Sequence, residues 1–264
     1  MPNKLFLTLL ASCLVSACAT SPTGRSQLLM MPDAQVNQMG LQAFSDLKTS
    51  KPVSKSSKYT KFATCIATPL TQQVGGTWEV VVFEDETLNA FALPGNKIGI
   101  HSGLIKMVDN QDQLAAVIGH EIGHVLAKHS NERLSQETAV SGGLSVLSAV
   151  IPAAGASSAL TQVGMSALGV AAEYGVLLPF SRTHESEADV MGLDLMARAG
   201  FDPKQSVTLW QKMSKASAGQ QTPEFMSTHP ADSTRIADLN EKLPTALAQY
   251  QKAQAAGKKP NCKK

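Results

Sequence analysis

Two histidines four residues apart, His120 and His124, stand with Glu121 in the middle of an apolar run from Leu114 to Leu126. Positions i and i+4 lie one turn apart on the same face of an α-helix. Asn110 with Gln113 three residues on is a helix-start signature, so a helix is predicted from there through both histidines. A charged and polar triplet inside an apolar helix needs a reason. Two imidazoles so placed can bind one Zn²⁺, and Glu121 beside the first can serve as general base towards a metal-activated water. A purely structural site would have no use for Glu121, which is not a ligand in this arrangement.

A metal centre that performs chemistry needs a third protein ligand and an open position. About sixty residues downstream the chain reads His184-Glu185-Ser186-Glu187-Ala188-Asp189. On a helix Glu185 and Asp189 share a face, and Glu187 points elsewhere. One carboxylate can bind the metal while its neighbour one turn away accepts a ring N–H from a ligand histidine, which fixes the tautomer. Alone, an acidic first turn is ordinary dipole compensation, and the motif gains meaning only beside the first one. His101, His129 and a surface-like His184 are read as structural or solvated.

The hydrophobic fraction of 43% and charged fraction of 17% fit a globular protein. The formal net charge of +2 is too small to imply a nucleic-acid partner, and no basic run is interleaved with aromatics. Lys4, the apolar run Leu5 to Leu10 and small residues up to Cys18 describe a signal peptide over 1–17, too short in its apolar core to span a bilayer. Leu14-Val15-Ser16-Ala17-Cys18 resembles a bacterial lipobox with Cys18 as the acylated residue. An overlapping match at Leu10-Ala11-Ser12-Cys13 leaves a shorter apolar core. Ala19 and Thr20 are not acidic, so the expected location is the periplasmic face of the outer membrane, with the lipid as the membrane contact. In that oxidising compartment Cys65 and Cys262 form a candidate disulfide between the C-terminal tail and an early helix; the alternative is a pair of separate thiols.

After a lipidated tether over 18–32, Asp33 is expected to cap a helix over 34–48, and a second helix carries Tyr59 to Leu70. Strands are predicted over Trp78–Phe83, Asn89–Leu93 and Ile98–Ile100, with a turn at Pro94–Lys97. From Ser102 the pattern is helical, which gives an α+β domain over 33–250 and a solvated basic tail over 251–264. Residues 138–172 hold no charge over 35 positions. Gly, Ala, Ser and Pro152 argue against a membrane span there and for buried or partner-contacting helices.

His120-Glu-Ile-Gly-His124 followed by Glu185-Ser-Glu-Ala-Asp189 resembles the zinc peptidases of metallopeptidase family 48. Supporting matches are Thr23-Gly24-Arg25-Ser26-Gln27-Leu28, Asn89 to Gly95, Ser181-Arg182, and Ser227-Thr228-His229-Pro230 with Arg235 six residues after the histidine. The similarity reaches along most of the mature chain, nearer the lipid-anchored periplasmic members such as LoiP and BepA than the integral-membrane ones. It implies a zincin-like (gluzincin) fold, one Zn²⁺ held by His120, His124 and Glu185, Glu121 as base, and Asp189 behind a ligand histidine. It also implies that Asn89, Ala90, Phe91, Ala92 and Leu93 form an edge strand that aligns an extended protein or peptide substrate. His229 is implied either to approach the metal and restrain activity or to assist beside Arg235 at the developing oxyanion. The implied activity is endopeptidase action on misfolded or stalled envelope proteins. The rival is a chaperone-like lipoprotein that docks on outer-membrane assembly machinery and carries a latent zinc site.

Overall fold

The computed structural model describes residues 18–150, 181–217, 224–229 and 233–264. The expected signal peptide, Pro230 and positions 151–172 of the uncharged stretch lie outside the described residues. Two short strands, β1 (Cys18–Thr20) and β2 (Ser26–Leu28), pair antiparallel. Helices α1 (Asp33–Ser50) and α2 (Ser57–Thr71) lead to β3 (Glu79–Phe83), β4 (Ala90–Leu93) and β5 (Lys97–His101). Helices follow: α3 (Ser102–Met107), α4 (Gln111–Leu126), α5 (His129–Val150), α6 (Arg182–Ala199), α7 (Lys204–Ser217), α8 (Glu224–Thr228) and α9 (Ser233–Ala255). The class is α+β, as predicted. Among the described residues no helix is long and apolar enough to cross a membrane.

Side-chain caps set several helix starts. Asn110 Oδ1 accepts from the amides of Asp112 and Gln113, Ser56 from Tyr59, and Ser181 from His184. Asp33, expected as a cap, is instead the first helical residue behind Pro32 and pairs with Lys128 Nζ at 2.5 Å.

The larger sheet has the order β3-β5-β4, with β3 parallel and β4 antiparallel to β5. β4 is therefore an outer strand. Asn89 O accepts from His101 N, so the odd positions face β5 while Ala90 and Ala92 direct their amide groups away from it. Phe91 and Leu93 bury their side chains with Phe44 and Phe83.

Helices α4 and α6 approach almost main chain to main chain. A Cβ on Gly192 would lie 2.7 Å from His120 N, and one on Gly123 would lie 2.9 Å from Ala188 O. Glycine at these places lets two motif helices pack more closely than any side chain allows. The contact carries His120 and His124 up to Glu185 and Asp189.

The segment read as a tether and the basic tail are both built in more firmly than the sequence suggested. Part of the segment read as a tether forms the β1–β2 pair, because Arg25 and Gln27 find buried partners there, Gln27 Nε2 donating to Ala127 O at 2.5 Å. The basic tail is not a frayed end. Cys262 is bonded to Cys65 with 5.8 Å between Cα atoms, Gln111 Nε2 donates to Pro260 O at 2.8 Å, and Lys264 Nζ donates to Val108 O at 2.9 Å. A bridge across 197 residues adds about 2–5 kcal/mol through loop-closure entropy.

Gly192→Ala is expected to force α4 and α6 apart. The overpacking should cost about 1–3 kcal/mol, read as a lower thermal midpoint together with weaker metal binding. An unchanged midpoint would show that the helices have room to spare.

Candidate metal centre

His120 and His124 project from α4 into a buried space closed by α6 and by the short α8 segment. The two Nε2 atoms are 3.0 Å apart. His120 Nε2 lies 3.2 Å from His229 Nδ1, which lies 3.0 Å from Glu185 Oε1, and that oxygen is 3.5 Å from His124 Nε2. His120, His124, Glu185 and His229 are all buried, and one ligand atom from each falls within 4.8 Å of the others. A cation about 2.0–2.1 Å from tetrahedral nitrogen donors holds them about 3.3 Å apart. The spacings found, 3.0–3.5 Å, bracket that value.

Charge leads to the same fit. Glu121, Glu185, Asp189 and Arg235 are buried together, three carboxylates against one guanidinium. Buried charge is tolerated where it is paired or bound to metal, and a divalent cation would balance it in place of a proton on His120. Burial by itself would raise the Glu185 carboxyl, but the charge of His229 and hydrogen bonds from His120, His124 and His229 hold it well below the usual range. Burial disfavours the His120 imidazolium, yet Asp189 and Glu185 outweigh that and raise it to about 9. At His124 burial wins over Glu185 and drives the imidazolium well below its ordinary value.

The surroundings fix each group. Asp189 Oδ1 lies 2.9 Å from His120 Nδ1, the position expected of a carboxylate behind a ligand histidine. Arg235 forks onto Asp189, with Nε to Oδ2 and Nη2 to Oδ1 both 2.7 Å, and its Nη1 is 2.7 Å from Glu185 Oε2. It also lies over the Trp210 ring at 3.8 Å. The resemblance implied Arg235 beside a developing oxyanion; here its guanidinium contacts the two carboxylates and holds them in register. His229 stacks on Phe225 at 4.4 Å, and Phe225 N donates to Leu88 O at 3.0 Å, which anchors α8 beside the β3–β4 connection.

Glu121 faces both the cluster and β4. Its Oε2 accepts from Ala92 N at 3.0 Å, while Oε1 is buried without a hydrogen bond among the described residues, 3.5 Å from His229 Nε2. Burial raises its carboxyl, against the charges of His229 and His120.

Three residues passed over in the sequence belong to this centre. His129 and His184, read as structural or solvated, are both buried, and Glu187 is buried too. His129 Nδ1 lies 2.9 Å from His124 Nδ1 and its Nε2 lies 3.1 Å from Glu187 Oε2. Burial and the neighbouring charge of His184 lower the His129 imidazolium to about 4, while Glu187, despite burial, is held at about 2 by hydrogen bonds from Ser21, Thr23, His129 and Arg25. Helical periodicity does not reveal His129. It follows Lys128, whose φ of 54° reverses the chain and swings the next helix back over α4.

The profile of Peptidase family M48 matches residues 57–243. The chain belongs to this family. It is 41% identical over 171 residues to the mitochondrial metalloendopeptidase OMA1 of Schizosaccharomyces pombe, a match covering 64% of this chain and 48% of that protein. To the protein of the same name in Saccharomyces cerevisiae it is 36% identical over 187 residues, 68% of this chain and 51% of the relative. To the beta-barrel assembly-enhancing protease of Escherichia coli K12 it is 29% identical over 216 residues, 79% and 44% respectively. The match thus spans about half the length of these relatives, and mitochondrial as well as bacterial proteins are among them.

Proposed function

We propose that this chain is a zinc-dependent endopeptidase of the bacterial cell envelope, acting on misfolded or stalled envelope proteins. The observation that carries the reading is one group of side chains. Buried donors lie at metal-ligand spacing, and beside them Glu121 is hydrogen-bonded to the outer strand β4. His120, His124 and Glu185 would hold zinc, which supplies Lewis acidity that polarises a scissile carbonyl and acidifies a water.

The chain's own groups then do the rest. Ala90 offers its main-chain amide, and Ala90 and Ala92 their carbonyls, to an extended peptide, which aligns its backbone along β4, while the Ala92 amide stays on Glu121. Glu121 takes a proton from the attacking water as the oxygen bonds to the carbonyl carbon, and delivers it to the nitrogen as the C–N bond breaks. Asp189 keeps the proton of His120 on Nδ1, and Arg235 holds Asp189 and Glu185 in register.

In this reading Cys18 is acylated and the protein sits on the periplasmic face of the outer membrane, near the machinery that assembles envelope proteins. Support comes from the lipobox and from the name of the E. coli relative. Cys18→Ser should leave an unprocessed or soluble species on fractionation, and wild type recovered in the soluble periplasm would overturn the anchor.

His229 Nδ1 completes the donor set, which supports a latch on the position that water needs. His229→Ala should raise basal cleavage of unfolded casein while zinc stays near one per chain; a clear drop at unchanged zinc would support the assisting role instead. The activity itself is tested with purified chain and casein, with and without chelator. Glu121→Gln should keep zinc and lose about 10²–10⁴-fold in turnover, and near-normal turnover in a zinc-loaded variant would sink the assignment.

A further inference from the structure

The segment Thr23 to Leu28 lies upstream of the residues matched by the family profile, yet it reaches the far side of the metal centre. We propose that Arg25, Glu187 and His129 form a positioning relay that holds His124 in the tautomer and orientation a metal ligand requires, so that the β1–β2 pair is part of the metal centre. The proposal rests on His124 being a ligand.

The direction of every bond in the relay follows from donor and acceptor chemistry. His124 presents Nε2 to the cluster, 3.0 Å from His120 Nε2. A neutral imidazole that offers Nε2 as a lone pair carries its proton on Nδ1. That N–H points at His129 Nδ1, 2.9 Å away, which must then accept. His129 in turn carries its proton on Nε2, 3.1 Å from Glu187 Oε2. An ionised carboxylate only accepts, so the chain of donors ends there.

Glu187 is fixed from the N-terminal segment. Its Oε2 accepts from Arg25 Nε at 3.1 Å and Nη2 at 3.0 Å, and its Oε1 accepts from Thr23 Oγ1 at 2.5 Å. The same guanidinium donates to both oxygens of Glu132, at 2.7 and 2.6 Å. His184 Nε2 lies 3.1 Å from Glu132 Oε2, and its ring stacks on His129 at 4.3 Å. His129 is therefore held by a hydrogen bond at each ring nitrogen and by a ring on its face. Ion pairs with a partly exposed partner add little net stability. What this one adds is a fixed imidazole behind a ligand.

The test measures zinc affinity of the full chain by chelator competition, the visible spectrum of its cobalt form, and the thermal midpoint. Outer partners of ligand histidines typically contribute 10–100-fold to metal affinity. His129→Leu should weaken zinc by about that factor and shift the cobalt bands, whereas His129→Gln, which keeps a carbonyl acceptor for the His124 N–H, should restore most of the affinity. Arg25→Gln, at a partly exposed side chain, should weaken zinc in the same direction and decides the matter alone if His129→Leu does not fold. Unchanged affinity and spectrum in the Leu and Arg25 variants, with only the midpoint lowered, would overturn the relay. Glu185→Ala serves as control: normal zinc binding by that variant would overturn the metal reading and the relay with it.

Discussion

The main-chain contact between α4 and α6 is what the rest of the molecule is arranged around. Gly123 and Gly192 meet Ala188 and His120 at distances that exclude a side chain. Ligands on one helix can then face a carboxylate on the other without long, flexible side chains between them. Glutamate and histidine are short reaches from a helix axis, so four donors converge only if the axes are close. Leu114, Val117, Ile118 and Ile122 on α4, with Leu193 and Met196 on α6, seal that contact in the main core. The apolar burial holds a polar centre that would otherwise drive the helices apart.

Each histidine that α4 gives to the cluster is backed by a carboxylate from the other helix, by different routes. His120 meets Asp189 directly at 2.9 Å. His124 reaches Glu187 only through the ring of His129. The two acids in turn have separate arginines: Arg235 from α9 holds Asp189, and Arg25 from the N-terminal pair holds Glu187. Elements far apart in sequence thus supply the outer supports of a site whose donors come mainly from two helices. Such supports fix tautomers and ring planes, and through them the direction in which each lone pair points.

Much of this was legible in the sequence, for local reasons. The i, i+4 histidines, the pair Glu185 and Asp189, the Asn110 cap and the outer strand at Ala90–Leu93 depend on periodicity and turn chemistry within a few residues. Contacts across long separations were less legible. Arg25 and Glu187 are 162 residues apart, and although Thr23 to Leu28 carried part of the family resemblance, no local pattern there gives Arg25 its partner. The tail over 251–264 reads as a solvated basic end, yet its first residues continue α9 to Ala255 and Gln111 and Cys65 pin the rest. The sequence suggested the disulfide but not the hydrogen bonds, because a cysteine has few roles and a glutamine many. The contacts of Arg235 were hidden for a similar reason: its charge suited an oxyanion, and only the fold brings two buried carboxylates against it.

The geometry of α6 explains why one carboxylate needs an intermediary. Successive residues on a helix are 100° apart, so Glu187 is turned about 200° from Glu185. Asp189 comes back to the face of Glu185 and can touch the cluster directly, while Glu187 looks the other way. For Glu187 to support His124, something must span the gap, and an imidazole with a nitrogen at each end does so at 2.9 and 3.1 Å. That imidazole comes from the first residue of α5, which the left-handed turn at Lys128 places beside the end of α4. The exposed side of Glu187 would then face solvent with an unbalanced charge, and Arg25 covers it. A site read as two helical motifs therefore extends, by necessity of helical phase, to a tight turn and an N-terminal strand pair.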